Sequence, residues 1–506
     1  MRSARAVGKA VGLALALALF ARGAVAQPLA AEGQPIVTNQ YSIDLTQGPV
    51  LAGTRVVGLA GTFVAMADGI DGDTQNPASP AVRVPYSYSD VDFELGASLT
   101  FPGGLGRSGD FFNSGTANPD GKDGAPSRTH VSAGNKLYVF LNGAFNLQID
   151  RWGFGVTADL QQYSLKRPGQ PSDPKNELTA QIMQNHFLSA YSFADDQLVV
   201  GVGARVVTLN VSTRQTILSS GVDSLNTTGV GIETGFIWRP NGERVRVGGA
   251  VRSAVSAETS GRVLFAGLPN ELWLPNRLTL PWDLSFGTAV QLGRRPLNPR
   301  WVSPSELLAH KKRYLAWQAR ERARRTRESL DQARREGRCD LAELERVLTA
   351  TDTAEADLDK LELARAERDV RKQLRARYEA MPRFHALLMS SLLLTGTVPQ
   401  GVGIEGFLDR TVQRSGQQIS VSPRFAVELE PVPHWVQARA GFYFEPTRFS
   451  ANADGGRSHA TLGADVKLLP WDVFGTFPER TWWRVTGAFD AARDYLSWGI
   501  AVGVWR

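Results

Sequence analysis

The run "VDFELGASLTF", Val91 to Phe101, alternates in polarity with a period of two. Val91, Phe93, Leu95, Ala97, Leu99 and Phe101 share one parity; Asp92, Glu94, Ser98 and Thr100 share the other. The closing run "YLSWGIAVGVWR" repeats the pattern, with Leu496, Trp498, Ile500, Val502 and Val504 set against Ser497, Gly499, Ala501 and Gly503. A period of two marks strands with unlike faces. In a soluble sandwich the face away from the core meets water and carries Lys and Glu. Here it is mostly Gly, Ala, Ser and Thr with isolated charges, which is the pattern of a membrane barrel, apolar toward lipid and small or polar toward the lumen.

Fourteen such runs can be counted, at 85–101, 134–149, 152–166, 182–194, 197–212, 228–239, 244–257, 279–293, 384–396, 402–430 (its C-terminal part), 434–449, 458–469, 482–491 and 495–506. An even number suits a bacterial single-chain barrel whose two ends lie on one side. The links alternate as such a barrel requires. Short ones fall at 150–151, 195–196, 240–243 and 431–433; long Gly/Pro/Asn-rich ones fall at 102–133, 167–181, 213–227, 258–278 and 397–417. The link 470–481 is long for a short-turn end, and 294–383 is far too long for any turn. From Ser303-Pro304-Ser305-Glu306 the period of two is lost and the chain becomes rich in Arg, Ala, Glu and Leu, with a break at Gly337. The second arm carries Leu341, Leu344, Leu348, Leu358, Leu361, Val370, Leu374 and Tyr378 at three-and-four spacing. Residues 303–382 therefore read as a helical hairpin inserted at a periplasmic turn.

The predicted fold is an all-β membrane protein: a 14-stranded antiparallel outer-membrane β-barrel with an N-terminal luminal hatch and an inserted periplasmic α-helical hairpin. Strands one to eight fall in 86–293 and strands nine to fourteen in 384–506. Residues 1–26 form a secretory signal, with basic Arg2, Arg5 and Lys9, an apolar run from Val11 to Phe20, and Ala24-Val25-Ala26 before Gln27. Of the formal charge of +6, four positive residues (Arg2, Arg5, Lys9, Arg22) belong to that signal. The nearly neutral mature chain gives no reason to expect nucleic acid. A single cysteine, Cys339, excludes an intramolecular disulfide.

Residues 27–85 precede the first strand. Within them "GLAGTFVAMADGIDGDTQNPAS", Gly58 to Ser79, is neither a good helix nor a good strand, and its small residues suit close packing inside a tube. The Gly/Ala-rich start at Gly58 and Gly61, the turn with Asp68, Asp71 and Asp73, and the closing Asn76-Pro77-Ala78 resemble the N-terminal hatch of the outer-membrane long-chain fatty-acid transporter family (FadL-like). "LPWDLSFGTAVQLG", "RFAVELEPVPHWVQARAGFYFEPTRF" and "ATLGADVKL" resemble the late strands of that family. The inserted hairpin and the terminal Arg506 depart from it. The resemblance implies passive uptake of a hydrophobic small molecule, such as a long-chain fatty acid, through a hatch-gated barrel in the bacterial outer membrane. Gly58, Gly61, Asp68, Asp71, Asn76, Pro77 and Ala78 would then form the gate. A different class of reading is a non-transporting scaffold or secretion-accessory barrel whose hairpin docks a periplasmic protein or peptidoglycan.

Charges on the small-residue parity point inward. Arg205, Arg246, Arg252, Arg424 and Arg439 are candidates to line a substrate path, where Arg can take a carboxylate through paired hydrogen bonds. The alternative is a lumen network of Arg with Asp and Glu that anchors the plug. The three hatch Asp lack EF-hand spacing, and the six His stand in no metal-ligand pattern. No G-x-S-x-G is present. The expectation is a monomer in outer-membrane lipid, with no enzyme activity, no metal and no cofactor.

Overall fold

The computed structural model describes residues 29–83, 87, 89–102, 110–115, 139–166, 177–213, 222–259, 263–264, 271–294, 296–382, 386–433, 435–452, 455–470 and 482–505. The signal at 1–26 and the terminal Arg506 lie outside the described residues.

In chain order the elements begin with β1 (Ser42–Asp44), α1 (Thr54–Gly58), α2 (Gly69–Gly72) and a 3₁₀ turn (Ser79–Ala81). The strands β2 (Val91–Phe101), β3 (Val139–Ile149), β4 (Trp152–Lys166), β5 (Glu177–Phe193), β6 (Leu198–Thr213) and β7 (Val222–Trp238) follow. Next come β8 (Val245–Arg252), β9 (Val255–Glu258), β10 (Val263–Leu264), β11 (Leu272–Trp273), β12 (Arg277–Leu280) and β13 (Asp283–Leu292). The long helices α3 (Pro304–Arg335) and α4 (Leu341–Glu379) precede β14 (Ala386–Thr395), β15 (Gly401–Gly403) and α5 (Ile404–Asp409). The chain ends with β16 (Ser420–Val432), β17 (Val436–Pro446), β18 (Gly456–Pro470), β19 (Trp482–Ala492) and β20 (Tyr495–Trp505).

Fourteen strands, β2 to β8, β13, β14 and β16 to β20, pair in that order, and β20 closes on β2 to complete an antiparallel barrel. Each overlaps one of the fourteen alternating runs. Two-residue and four-residue turns join strands at one end; Asp150, Ala194, Asp195 and Asp196 adopt the left-handed backbone that such tight hairpins need. Outward residues such as Leu95, Phe154, Phe187, Val202, Ile232 and Phe425 are exposed. At the short-turn rim Trp152 meets Tyr191 edge-on, Tyr191 meets Phe193, and Lys467 sits 4.0 Å over the Trp482 ring. An apolar exterior bounded by an aromatic girdle is the surface of a membrane-spanning barrel. No described helix is long and apolar enough to cross a membrane.

Three runs divide differently from the sequence expectation. The run 244–257 leaves the wall after Arg252, and β9 turns into the lumen. In 279–293 the wall strand starts only at Asp283, because β12 pairs with β9. In 402–430 it starts at Ser420, after β15 and α5. The order β15-β1-β12-β9 makes a four-stranded sheet at the long-loop end, with β1 parallel to both neighbours. Val255 and Ala257 are buried while Ser256 and Glu258 are exposed. A strand of this inner lid thus has two unlike faces, just as a wall strand does, and periodicity cannot say which sheet it joins.

The helices α3 and α4 pair antiparallel and span about 48 and 58 Å at 1.5 Å per residue. Their seam is largely ionic: Arg322 meets Glu355 at 3.3 Å and also Asp359, Lys311 meets Glu362, and Thr326 Oγ1 donates to Asp352 at 2.9 Å. Leu308, Leu315, Ala333 and Tyr378 are buried, whereas Leu358 and Leu361 face solvent. The hairpin starts from the short-turn end of the wall. There Ser303 Oγ donates to Asp90 Oδ1 (2.6 Å), Trp301 Nε1 donates to the Ser87 carbonyl (3.2 Å), and Arg83 stacks 4.6 Å over Trp301.

The lumen is filled by the segment before β2. One apolar core, at the long-loop end, joins Ile36, Tyr41 and Ile43 to Phe112, Leu278 and Phe407. A second lies inside the wall and joins Val56, Leu59, Phe63 and Ala78 to Ile237 and Met389. Wall glycines accommodate this second core. A side chain on Gly201 would meet the Pro77 carbonyl, one on Gly235 the Asn76 side chain, one on Gly153 the Pro80 backbone, and one on Gly248 the Val64 backbone. The small-residue parity of the strands is therefore the imprint of a plug lying directly on the wall. Gly201→Leu should displace Asn76-Pro77-Ala78 at a cost of about 1–3 kcal/mol while the wall stays closed. Faster trypsin cleavage after Arg55 or Arg83, with the folded barrel's gel mobility retained, is the expected result.

Candidate functional site: the plugged lumen and its cavity

The polypeptide turns at Ala60 (φ 53°) and Gly61 (φ 71°) after α1, a left-handed pair that folds the chain back across the lumen. Gly58 rests 3.1 Å, measured from the position of a Cβ, from the Gly463 backbone, and its carbonyl accepts from Thr461 Oγ1 at 3.1 Å. Asn76 is fully buried. Its Nδ2 donates to the carbonyls of Val64 (2.8 Å) and Phe236 (3.0 Å), and its Oδ1 accepts from the Ala78 amide (3.0 Å). One side chain thus ties the plug to itself and to β7. Pro77 and Ala78 press on β6 at Gly201.

Charged side chains bind the plug to the wall in a continuous, alternating chain. Asp68 pairs with Arg55 (3.2 Å), Arg55 with Glu428 (3.3 Å), and Glu428 with Arg439 (2.6 Å). Arg439 pairs with Asp465 (2.6 Å), Asp465 with Arg484 (3.2 Å), and Arg484 with Asp71 (3.1 Å), back in the plug. Arg246 joins at Asp68 (3.6 Å) and donates to Asn298 Oδ1 at 2.7 Å. Each charge in this chain has an opposite partner, which its removal from water requires. Arg246 and Arg439 are thus members of the plug-anchoring network.

Arg205, Arg252 and Arg424 sit elsewhere, on a cavity of ≈210 Å³ between the plug and the lid. Its walls combine Val50, Leu51, Val64, Leu280 and Leu393 with Gln184, Asp283, Ser285, Glu445 and Arg448. Arg205 and Arg252 share Asp283 (3.2 and 2.7 Å); Arg252 also meets Glu233 (3.2 Å), which holds His186 Nδ1 at 2.8 Å. Arg448 is paired with Asp44 at 3.0 Å. Arg424 differs. Its Nε donates to Ser422 Oγ (3.3 Å) and its Nη1 to the Gly61 carbonyl (3.5 Å), and it lies 5.7 Å from the Tyr443 ring. Among the described residues it has no carboxylate partner within ion-pair distance.

The third hatch aspartate has no arginine partner. Asp73 is fully buried, with Oδ1 accepting from Asn146 Nδ2 at 3.2 Å and Oδ2 unpaired. Burial pushes its carboxyl well above the usual carboxylate range. Several residues of this lumen went unremarked in the sequence. Arg55 lies in a short plug helix with no strand parity to mark it. His459 lies between Asp490 (2.8 Å) and Glu445 (2.6 Å), and it shares the inward parity of Asp465 on β18, which was the available signal.

Closed strand order, apolar exterior and filled lumen define an outer-membrane-type β-barrel with an internal plug. Among solved structures the chain is similar to a Pseudomonas aeruginosa FadL homologue (12% identity, 91% of this chain and 98% of that one, TM-score 0.46). It is also similar to the CymD monoaromatic hydrocarbon channel (10%, 91% and 97%, 0.43) and to the P. putida toluene transporter TodX (9%, 90% and 98%, 0.43). No protein-family model matches the sequence, and no curated protein matches it.

Because the folded state holds the Asp73 proton at pH values where the unfolded chain releases it, the contribution of Asp73 to stability is fully present below the ordinary carboxyl value near 4. It falls as pH rises toward the raised folded value, by at most about 1.4 kcal/mol per pH unit. Asp73→Asn should remove this slope and raise the thermal midpoint at neutral pH, as read by circular dichroism of the detergent-solubilised barrel across pH 4–8.

Proposed function

We propose that the chain is a bacterial outer-membrane channel for passive uptake of hydrophobic small molecules bearing an acidic head, long-chain fatty acids or similar. The observation that carries this reading is Arg424. It is a buried guanidinium on a cavity with apolar patches, held by a serine hydroxyl and a carbonyl rather than by a carboxylate. A ligand carboxylate would complete its hydrogen bonding, and Val50, Leu51, Val64, Leu280 and Leu393 offer surface for the chain behind that head. The hatch resemblance of Gly58 to Ser79 supports the same direction.

The site lies apart from Asn76-Pro77-Ala78. Those three residues are wedged on the wall, and the cavity lies on the lid side of the plug with a mixed lining. At ≈210 Å³ it is smaller than the 300 to 1,000 Å³ usual for small-molecule pockets, so a long ligand needs the lid or plug to move. Gly61 is the hinge candidate, because its backbone is left-handed and its Cα side abuts Arg424 itself.

Two measurements test the reading. Arg424→Ala should weaken oleate binding to the solubilised protein by about 10- to 100-fold, the worth of a charge-assisted hydrogen bond. Binding of methyl oleate should stay within a few-fold, and equal loss for both would refute a head-group role. Deleting 304–381 should leave oleate uptake into proteoliposomes intact. Its abolition in a still-folded barrel would favour the scaffold reading, with the hairpin as the working part.

A further inference from the structure

The helical hairpin belongs to neither wall nor plug, and its charge is unevenly placed. Residues 304–314 and 368–379, where the two arms leave the barrel, hold eight Lys or Arg against three Asp or Glu. Residues 328–357, the far half with the break at Gly337, hold four against nine. The root is thus basic and the tip acidic.

Pairing divides along the same line. In the middle of the hairpin the cations are committed, Arg322 to Glu355 and Asp359, and Arg324 to Glu321 and Glu328. At the root Lys311 is held by Glu362 and Arg375 by Glu379. The remaining root cations, Lys312, Arg313, Arg368, Arg371, Lys372 and Arg377, are all exposed. Among the described residues none of these six has a carboxylate within ion-pair distance. Consecutive residues such as Lys312 and Arg313, or Arg371 and Lys372, diverge by about 100° around a helix of 3.6 residues per turn. The free cations therefore form a collar that faces several directions.

This collar lies close to the bilayer. At 1.5 Å per residue Lys312 stands about 12 Å from the start of α3, and Arg377, Lys372 and Arg368 stand about 3, 10 and 16 Å from the end of α4. The start of α3 is fixed to the foot of β2, where Ser303 Oγ donates to Asp90 Oδ1 and Trp301 Nε1 to the Ser87 carbonyl. The same rim carries Trp435 edge-on to Trp482, with Lys467 over the Trp482 ring, an aromatic girdle that marks the depth of the lipid headgroups. Most of the collar is thus within one or two Debye lengths of the bilayer surface, at about 8 Å each in physiological salt. The acidic far half lies well beyond that range.

The charge pattern selects the occupant. A continuous anionic surface suits a collar that faces several directions, whereas one folded partner would favour a single face. An acidic tip is repelled by the surface that attracts the root, which directs the arms away from the bilayer.

We propose that the root of the hairpin binds the phosphate headgroups of anionic phospholipids in the leaflet at the short-turn end, and that attraction at the root with repulsion at the tip holds the hairpin upright on the membrane. The binding is independent of what the barrel carries.

The test is competitive acetylation with acetic anhydride, an uncharged reagent, followed lysine by lysine with mass spectrometry. The full chain is placed in nanodiscs of phosphatidylcholine, or of phosphatidylcholine and phosphatidylglycerol in equal parts. At about 0.1 M NaCl, Lys312 and Lys372 should react at least about fivefold more slowly in the anionic discs, the worth of one cation at an anionic surface. Lys360, about 29 Å from the end of α4, should change by less than about twofold. At about 1 M NaCl, where the Debye length falls to about 3 Å, the protection should vanish. Arg368→Gln, Arg371→Gln and Arg377→Gln together should cut the protection of Lys312 and Lys372 below about twofold, with the circular dichroism spectrum unchanged. Equal reactivity in neutral and anionic discs overturns the lipid assignment. Protection that survives the triple substitution overturns it too, because nearness to the bilayer then suffices. Protection by soluble peptidoglycan fragments in neutral discs, with none in anionic discs, gives the collar to the cell wall and equally overturns the assignment.

Discussion

Everything in this structure depends on the pairing of backbone amides and carbonyls in a medium without water. A chain that crosses lipid as strands must close its ladder, because an unpaired peptide group in hydrocarbon costs several kcal/mol. Closure makes one face of every strand the outside and the other the lumen. The outward parity must then be apolar. The inward parity is freed from that demand and can serve whatever fills the tube. In this chain it serves a plug, which explains why Gly153, Gly201, Gly235 and Gly248 stand where a pore would carry larger polar side chains. The ladder stops short of the strands' length at the β2–β20 seam and again at β7–β8.

The plug is held by two unlike means. Asn-Pro-Ala and the small residues around it seat against glycines through shape, and the alternating Asp/Glu–Arg chain fixes its other face through charge. Contacts of the first kind are short-ranged; a gap of about 1 Å already forfeits up to about half of their attraction. Those of the second kind can exchange partners as the plug shifts, because Arg484 and Arg439 both already touch Asp465. The combination gives a closed state that is well defined.

The wall was legible in the sequence because the period of two is imposed along every strand by lipid on one side. The helical insertion was equally plain, since Arg, Glu and Ala replace that period over some eighty residues. The lid was not legible. Strands β1, β9, β12 and β15 have three or four residues each, and the central β1 pairs with residues more than two hundred positions away, as Ser42 does with Arg277 and Gly401. The inward arginines could be identified by parity, but parity carries no information on partners. Arg439 and Arg424 looked alike in the sequence; only the fold brings Glu428 and Asp465 to the first and leaves the second facing a cavity. Asp73 reads like Asp68 and Asp71, yet the turn at Gly72 points it at Asn146 instead of an arginine.

The segment before the wall runs the full height of the lumen, from lid to plug. Its strand β1 lies between β12 and β15, so it pins the two inner excursions of the wall, one from the β8–β13 connection and one from the β14–β16 connection. Its helix α1 belongs to the plug. The stretch between them, Thr46 to Leu51, lines the cavity. Lid and plug are thus two ends of one taut cord, and the chamber's own wall is that cord. Whatever fills the chamber would therefore lie against the same six residues that join the outer seal to the inner one.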